Sequence, residues 1–574
     1  MRVRYVLATL LALFALLTLF DRFVLIELLL RRTGVPLLVA FAVALACVGV
    51  GALARRTNDA DAPVDFLIGY PLLGAACFVV GLINVSVWTM VPLVVIAAAF
   101  GVWLLRAGWK PAERPAGSRP FIRDSVGGLI AVAVVIGCGF VAAQAPPSSL
   151  DELAYHLAVP QAWVLEGRAI ELPLNSHSYF PLGIESADLP ALSLLGANDG
   201  GVASHFLHLF AAVAASLVIA RRTDSWLATA AIVTTPALAI TAGWSLVDWP
   251  VAGLFVVTYV ALEQDDIRTA SAATAAGMLT KYTFLPFALL AWAFKRKRPH
   301  WIVLAGGVFF LRNLILTFNP FAPFFRADTP AVAGYRALAF ADYVFEGFFI
   351  DEALGASIVA MPAFAAGAVA AGSAFIALAL FFLAPSSRIL VPFLVVPSLS
   401  GAAALQKRWF AVLIAIAVVV QTFLVVWFTA RSGAFSLLAG GVSEDEYLRK
   451  QRVSYASVEW LNKTLPADSR TLVVGTNETY WFTRPVRGGG NFDEPRVSAY
   501  LDVPAPEALR ERLRRDGITH VALLQLPVAT SDDQKVEERR TTLSPAAQRM
   551  LAATLDRYAG NVTTHGPTIL FTLR

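Results

Sequence analysis

The chain has 574 residues, of which 57% are hydrophobic and 15% charged, whereas an average soluble domain carries about 25% charged residues. Its net charge is +5, but the basic residues lie in short breaks between apolar runs. That distribution follows the positive-inside pattern of membrane proteins and argues against nucleic acid as a partner.

Apolar runs, most of roughly 16–22 residues, follow one another as far as residue 441, and about 20 apolar residues cross a hydrocarbon core. Irregular backbone cannot face lipid, so the runs predict a bundle of about 13–15 membrane helices. The first run lacks a small-residue cleavage site and is interpreted as a retained helix. The predicted helices are 3–20, 34–53, 64–84, 86–106, 124–144, 201–220, 225–243, 246–262, 269–280, 282–294, 300–317, 354–370, 372–384, 389–404 and 409–429.

Lysine and arginine indicate which breaks between helices face the cytoplasm. The basic breaks are 106–123, 221–222, 295–298 and 407–408. They place the polar segments 145–200 and 318–352 on the opposite, outer side, together with everything after residue 441. This orientation requires that 354–384 forms two helices, because a single tilted helix would invert the orientation of every later helix. We therefore expect an integral membrane protein with an extracytoplasmic C-terminal domain.

From about residue 443 the composition becomes that of a water-soluble domain. Helices are predicted at 446–464, 505–515 and 545–558, and strands at 471–475, 520–525 and 568–573. This alternation is typical of a small α/β layer structure. The predicted fold is thus mainly α, with N-terminal membrane helices at 1–144, a membrane core at 145–441 and a soluble α/β domain at 442–574.

Two stretches offer acids at the predicted outer surface. The segment Ser149-Leu-Asp151-Glu152-Leu-Ala-Tyr-His156 follows an apolar helix, and Glu152 and His156 would share a face of a helix. A charge that complements a helix dipole is the alternative role for Asp151. The second acid, Asp248, lies between two tryptophans and is a functional candidate because acids at membrane depth are costly. Its alternative is a solvated loop acid.

Three cations are predicted on the same side, namely Lys281, Arg312 and Arg388. Snorkelling to the interface is the alternative explanation for each. Together they would suit an anionic headgroup such as phosphate. A sugar carried on a lipid phosphate needs cations to neutralise the leaving group and one carboxylate to take the proton of the acceptor hydroxyl.

The cysteines do not add a metal site to this picture. Cys47, Cys77 and Cys138 all lie inside apolar runs, and no pair has the spacing of metal ligands. The sequence therefore predicts no metal ligands and no certain cofactor. It leaves open whether the protein uses a divalent cation.

The outer segments resemble the C-type (GT-C) membrane glycosyltransferases, especially bacterial relatives of protein O-mannosyltransferases and lipid A aminoarabinose transferases. The matching pieces fall in the family's order over about 145–430. They are Asp151-Glu152-Leu-Ala-Tyr-His156, Leu246-Val247-Asp248, Thr280-Lys281-Tyr282-Thr283, Arg312-Asn313 with Asn319-Pro320-Phe321, and Arg388 followed by Pro392.

The resemblance implies an enzyme that moves a hexose or pentose from a polyprenyl phosphate to a glycan, lipid or protein acceptor. It implies catalysis by Asp151 with Glu152 beside it. It also implies substrate binding by His156, Asp248, Lys281, Arg312 and Arg388. The chain departs from the family in having about five helices before Asp151 and few recognisable motifs after residue 354.

Two other functions remain open on the sequence alone. A transporter or flippase of lipid-linked sugars would use the same cations without a base, and internal repeats, which would favour it, are not evident. A membrane scaffold that presents the C-terminal domain would tolerate replacement of the polar residues in 145–200. The donor sugar, the acceptor, the lipid length and the oligomeric state are not encoded in any pattern of the sequence.

Overall fold

The computed structural model describes residues 33–56, 61–108, 125–324, 355–383, 387–490, 493–525 and 543–574. The predicted helix 3–20, most of the predicted loop 318–352 and most of the basic break 106–123 lie outside these ranges. Within them the chain is mainly helical and ends in a small sheet, which confirms the predicted fold class.

The helices that precede the C-terminal domain are, in chain order, α1 Val35–Arg55, α2 Ala62–Gly81, α3 Val87–Gly108, α4 Val126–Ala143, α5 Ala158–Glu166, α6 Gly183–Ser186, α7 Leu189–Thr223, α8 Trp226–Val233, α9 Pro236–Ala239, α10 Asp248–Glu263, α11 Ile267–Thr280, α12 Phe284–Lys295, α13 Val308–Thr317, α14 Ala356–Ala360, α15 Ala368–Leu383, α16 Ser387–Gly401, α17 Arg408–Arg431 and α18 Ala434–Leu438. Among the described helices, six are long and apolar enough to cross a membrane, namely α1, α2, α4, α7, α17 and the part of α3 at Val87–Leu104. Shorter apolar helices of 10–17 residues lie at Phe284–Lys295, Trp301–Thr317, Ala368–Ala379 and Leu390–Gln406.

Three predicted helix boundaries were wrong. The helix expected at 201–220 begins at Leu189, and Gly196 interrupts it with a φ of +76°, a conformation that glycine adopts without steric cost. The helix expected at 225–243 ends at Val233, because Pro236 restarts the chain as the separate short helix α9. Helices were expected at 354–370 and 372–384. The structure has helical pieces at Ala356–Ala360 with Met361–Phe364 and at Ala368–Leu383, so the segment is divided in two but the expected boundary between the pieces was wrong.

The C-terminal domain contains α19 Glu444–Gln451, α20 Tyr455–Thr464, β1 Thr471–Val474, β2 Val486–Arg487, α21 Glu494–Leu501, α22 Pro506–Arg515, β3 His520–Leu524, α23 Pro545–Tyr558, β4 Ala559–His565 and β5 Thr568–Leu573. The strand order is β2-β1-β3-β5-β4. Strand β1 is parallel to β2 and β3, and β5 is antiparallel to both β3 and β4. The single helix predicted at 446–464 was wrong, because α19 ends before Arg452, whose backbone is extended.

The core of the membrane part is a continuous apolar cluster that runs through the helix bundle. Smaller apolar clusters lie on the sheet of the C-terminal domain, and one of them joins Tyr480 of that domain to Leu153 and Leu192 of the membrane part. The C-terminal domain is therefore packed against the segment in which the candidate acids were predicted.

Candidate active site

Four of the predicted site residues meet at one end of the helix bundle, and each lies at a helix end. Asp151 follows α4 through a short turn, and Asp248 is the first residue of α10. Lys281 directly follows α11, and Arg388 is the second residue of α16. Polar residues at the ends of apolar helices leave the apolar interior together, so the bundle brings them to a common surface.

These residues form one charged cluster, which we define as Asp151, Asp248, Lys281 and Arg388. The Arg388 guanidinium bridges the two acids, with Nη1 lying 2.9 Å from Asp151 Oδ2 and Nη2 lying 3.1 Å from Asp248 Oδ2. Lys281 Nζ lies 3.3 Å from Asp248 Oδ1. Two carboxylates and two cations therefore alternate along the cluster.

The two acids of the cluster differ in access to solvent. The Asp248 side chain is 1% exposed, so its interpretation as a solvated loop acid was wrong. It sits at the N-terminus of α10, where the helix dipole favours a negative charge. The Asp151 side chain is 27% exposed. Burial acts to raise the pKa of Asp151, but the nearby Arg388 and His156 outweigh it and hold that pKa below its ordinary value. Asp151 is thus an ionised, accessible carboxylate.

Glu152, the immediate neighbour of Asp151, is in a contrasting environment. Its side chain is 1% exposed, and each of its two carboxylate oxygens accepts two hydrogen bonds. Oε1 accepts from the backbone N–H of Ser245 at 2.7 Å and lies 2.8 Å from His205 Nε2. Oε2 accepts from the backbone N–H groups of Ser148 and Ser149. Burial acts to raise the pKa of Glu152, but His205 and these N–H groups lower it to about 2.

His156 is buried and faces a carboxylate. Its Nδ1 lies 2.7 Å from Glu185 Oε1, so this ring nitrogen is occupied by a protein partner. The adjacent Tyr155 stacks on His177 with ring centroids 4.4 Å apart. Burial lowers the pKa of His177 to about 4. Sequence patterns did not reveal the pairing of His156 with Glu185, because the two residues lie on different local elements.

Arg312 lies beside the cluster but outside its ion pairs. Among the residues that the structure describes, no carboxylate lies within salt-bridge distance of its guanidinium. The guanidinium donates to Asn313 Oδ1 at 2.8 Å and packs over the ring of Phe309. Asn313 donates in turn to Tyr282 Oη at 2.7 Å, and Tyr282 directly follows Lys281. Arg312 thus supplies a cation that forms no ion pair with a described carboxylate, and Glu171 is the described acid that acts on it from a distance.

Within the described ranges, no group of three or more histidine, cysteine, aspartate or glutamate side chains is arranged to hold a metal ion. The described residues of the site can hold an anion on their cations and accept a proton on Asp151. His205 and His208 are both buried, and His205 holds Glu152.

No family model matches the chain, and no curated protein matches it. The solved structures that are similar to it include two of ArnT, a lipid A aminoarabinose transferase, from Cupriavidus metallidurans. The form bound to undecaprenyl phosphate has 14% identity and a TM-score of 0.45, covering 78% of this chain and 98% of that chain. The apo form has 14% identity and a TM-score of 0.42, covering 77% and 97%. At this identity and these scores, a functional proposal depends on the site geometry.

Proposed function

We propose that the chain is an integral membrane glycosyltransferase that moves a sugar from a polyprenyl-phosphate donor to an acceptor hydroxyl. The transfer takes place at the outer face of the membrane that the helices span. The observation that carries this proposal is an accessible, ionised Asp151 that is held by Arg388 at the end of an apolar helix bundle. A lipid-carried donor would lie between the apolar helices and present its headgroup at that end.

The cations of the site suit the donor's phosphate. An ammonium group has three donors, and among the described residues Asp248 is the one hydrogen-bond partner of the Lys281 ammonium. The Lys281 side chain is 26% exposed. Arg312 adds a guanidinium that forms no ion pair with a described carboxylate. Both cations would stabilise the charge that develops on the phosphate as it leaves.

The reaction is a single displacement with inversion at the sugar carbon. Asp151 accepts the proton of the acceptor hydroxyl while the acceptor oxygen forms its bond to the anomeric carbon. The bond from that carbon to the phosphate oxygen breaks, and the lipid phosphate leaves with the electron pair. Phosphate is already a good leaving group, so the reaction needs no general acid. Glu152 supports the turn that carries Asp151 and does not take part in the proton transfer.

The test is transfer by the purified chain in lipid nanodiscs, with polyprenyl-phosphate hexoses and pentoses as donors and a panel of glycan, lipid and peptide acceptors. The reaction is run with EDTA and with Mg²⁺, and products are identified by mass spectrometry. We expect Asp151→Asn to bind donor normally but to lose about 10²–10⁴ in transfer rate, the usual worth of a general base. Asp502→Asn, at an exposed aspartate of the C-terminal domain, is the matched control.

Equal transfer by Asp151→Asn and Asp502→Asn would remove Asp151 from catalysis. If the chain, reconstituted into closed vesicles, moves donor across the bilayer without any sugar transfer, it is instead a transporter of lipid-linked sugars. An anomer assignment of the product that shows retention would exclude the single displacement.

A further inference from the structure

The C-terminal domain contacts the chain on both sides of Asp151. Three residues before it, the carbonyl of Ser148 accepts a hydrogen bond from Arg452 Nε at 2.6 Å. Two residues after it, the carbonyl of Leu153 accepts from the backbone N–H groups of Thr479 at 2.9 Å and Tyr480 at 3.2 Å. The segment that carries Asp151 is therefore held at two points by a domain that is distant in sequence.

The local backbone explains why these contacts are needed. Residues Glu152–His156 form a π-helical turn, in which the N–H of Leu157 bonds to the carbonyl of Glu152. Such turns are rare and often occur at functional sites. The carbonyl of Leu153 finds its partners in the C-terminal domain, and Leu153 is fully buried. A buried carbonyl without a partner is destabilising, so the turn depends on the domain that supplies its donors.

One ion pair joins the two points of contact. Arg452 Nη1 lies 3.3 Å from Glu478 Oε1, and Glu478 directly precedes Thr479. Glu478 is buried and also accepts a hydrogen bond from Ser454 Oγ. Arg452 itself lies at the break between α19 and α20, where its extended backbone directs the chain across the domain. The contact before Asp151 and the contact after it are thus coupled through a single pair of charges.

We propose that the Arg452–Glu478 pair is a positioning clamp, through which the C-terminal domain fixes Asp151 against Arg388. Arg452 and Glu478 are positioning residues and do not touch the substrates. The proposal rests on the proposed function insofar as it concerns catalysis. The constraint on the backbone of residues 148–157 is a separate property that can be measured without any substrate.

The test compares Arg452→Met with Arg449→Met. Arg449 lies three residues earlier, and its exposed guanidinium pairs with Glu459 inside the same domain at 2.6 Å. The first measurement is amide hydrogen exchange of residues 148–157 in nanodiscs. We expect exchange to rise about tenfold in Arg452→Met, the factor expected from losing one charge-assisted hydrogen bond. In Arg449→Met these amides should exchange at the rate of the parent chain. In Arg452→Lys, which keeps a cation opposite Glu478, they should exchange at a rate between those of the parent chain and Arg452→Met.

The second measurement is transfer kinetics. In Arg452→Met we expect kcat to fall with little change in KM for the donor, because the base is displaced while the cations that bind phosphate remain. The acid limb of its pH–rate profile should move to higher pH, since Asp151 then lies farther from Arg388. A variant that merely lost global stability would not shift this limb.

The outcomes separate the clamp from the proposed function. Faster exchange of 148–157 in Arg452→Met, together with a lower kcat, supports both. Faster exchange in a chain that shows no transfer even without substitution supports the clamp and overturns the proposed function. Exchange in Arg452→Met equal to that in Arg449→Met overturns the clamp, whatever the transfer rates. If Arg452→Met does not fold, the same decision is made on Arg452→Lys.

Discussion

The ion pair of Arg55 with Asp65 and the charged cluster lie at opposite ends of α11, and they differ in how much of their charged side chains is exposed to solvent. Near its start, Thr269 accepts a hydrogen bond from Arg55 Nε, and Arg55 Nη1 lies 2.7 Å from Asp65 Oδ1. After its last residue, Lys281 joins the charged cluster. At 1.5 Å per residue, the two ends are about 18 Å apart along the helix.

The pair of Arg55 and Asp65 is closed, with side-chain exposures of 9% and 0%. The charged cluster is open, because Asp151 and Lys281 each retain about a quarter of their side-chain surface. In a closed pair the two charged groups are buried against each other and cannot meet a ligand, so the pair contributes to stability. An open pair holds its charges in place while leaving them able to meet a ligand. The comparison therefore predicts that substitutions at one end of α11 change stability and that substitutions at the other end change rate.

After the loss of the base itself, the largest effect is expected at Arg388. Arg388→Gln removes the cation that bridges Asp151 and Asp248. We expect transfer to fall by about 10²–10³, the typical result of deleting one preorganised electrostatic partner. Arg388→Lys should recover only part of the rate, because a single ammonium cannot reproduce the planar guanidinium. Single-turnover transfer rates measure both variants, and a normal rate in Arg388→Gln would contradict a role for the open cluster.

The next effect is on stability, at the other end of α11. Arg55→Met leaves the buried Asp65 carboxyl without its ion-pair partner, and breaking such a pair typically costs about 3–5 kcal/mol. The rate per folded molecule should stay normal. Arg221→Met is the control, because its pair with Asp61 is exposed and such pairs contribute about 0–1 kcal/mol. Denaturant unfolding in detergent compares the two, and equal losses would mean that the Arg55 pair is not closed.

Much of the fold could be predicted because apolar runs of membrane length have one solution in lipid, the helix. The breaks at Thr234–Pro236 and at Arg452 were missed, since tertiary contacts decide there between a continuing helix and a turn. The residues of the charged cluster stood out because each is a charge at the end of an apolar run. The sheet partners β2 and β4 and the helix α21 carried too weak a local pattern.

The neighbouring acids Asp151 and Glu152 show where sequence reasoning ended. They are adjacent carboxylates in the sequence, and the prediction was catalysis by Asp151 with Glu152 beside it. The distinction comes from residues far along the chain, since Arg388 pairs with Asp151 while His205 and Ser245 enclose Glu152. No local pattern contains these contacts. For the same reason the contacts of Arg452 and Thr479 with the site were not anticipated.

A smaller stability effect distinguishes these two acids. Glu152→Gln places an NH₂ group among hydrogen-bond donors, so at least one buried N–H loses its acceptor. That loss costs about 1–3 kcal/mol, and we expect a lower midpoint of thermal unfolding. Asp151→Asn, at the accessible neighbour, should unfold close to the parent chain. A Glu152→Gln protein that keeps full stability but loses all transfer would move the base from Asp151 to Glu152.

The smallest and most specific effect is on pH dependence. Asp151 acts as a base only when ionised. Although burial favours its neutral form, Arg388 and His156 hold its pKa below 3.8. Transfer at limiting donor should therefore show no acid limb between about pH 5 and pH 7, because an acid limb lies at the pKa of the base. His177, with a pKa of about 4, stays neutral over this range and adds no titration of its own.

In Arg388→Gln the main lowering cause is lost and burial remains, so the pKa of Asp151 rises and the residual activity should fall as the pH drops. Arg221→Met, which removes an exposed cation at the other end of the bundle, should leave the profile flat. An acid limb in the parent chain within this range would mean either that Asp151 is not the base or that Arg388 does not keep it ionised. Asp151→Asn then decides between these two, because only a limb that belongs to Asp151 disappears with it.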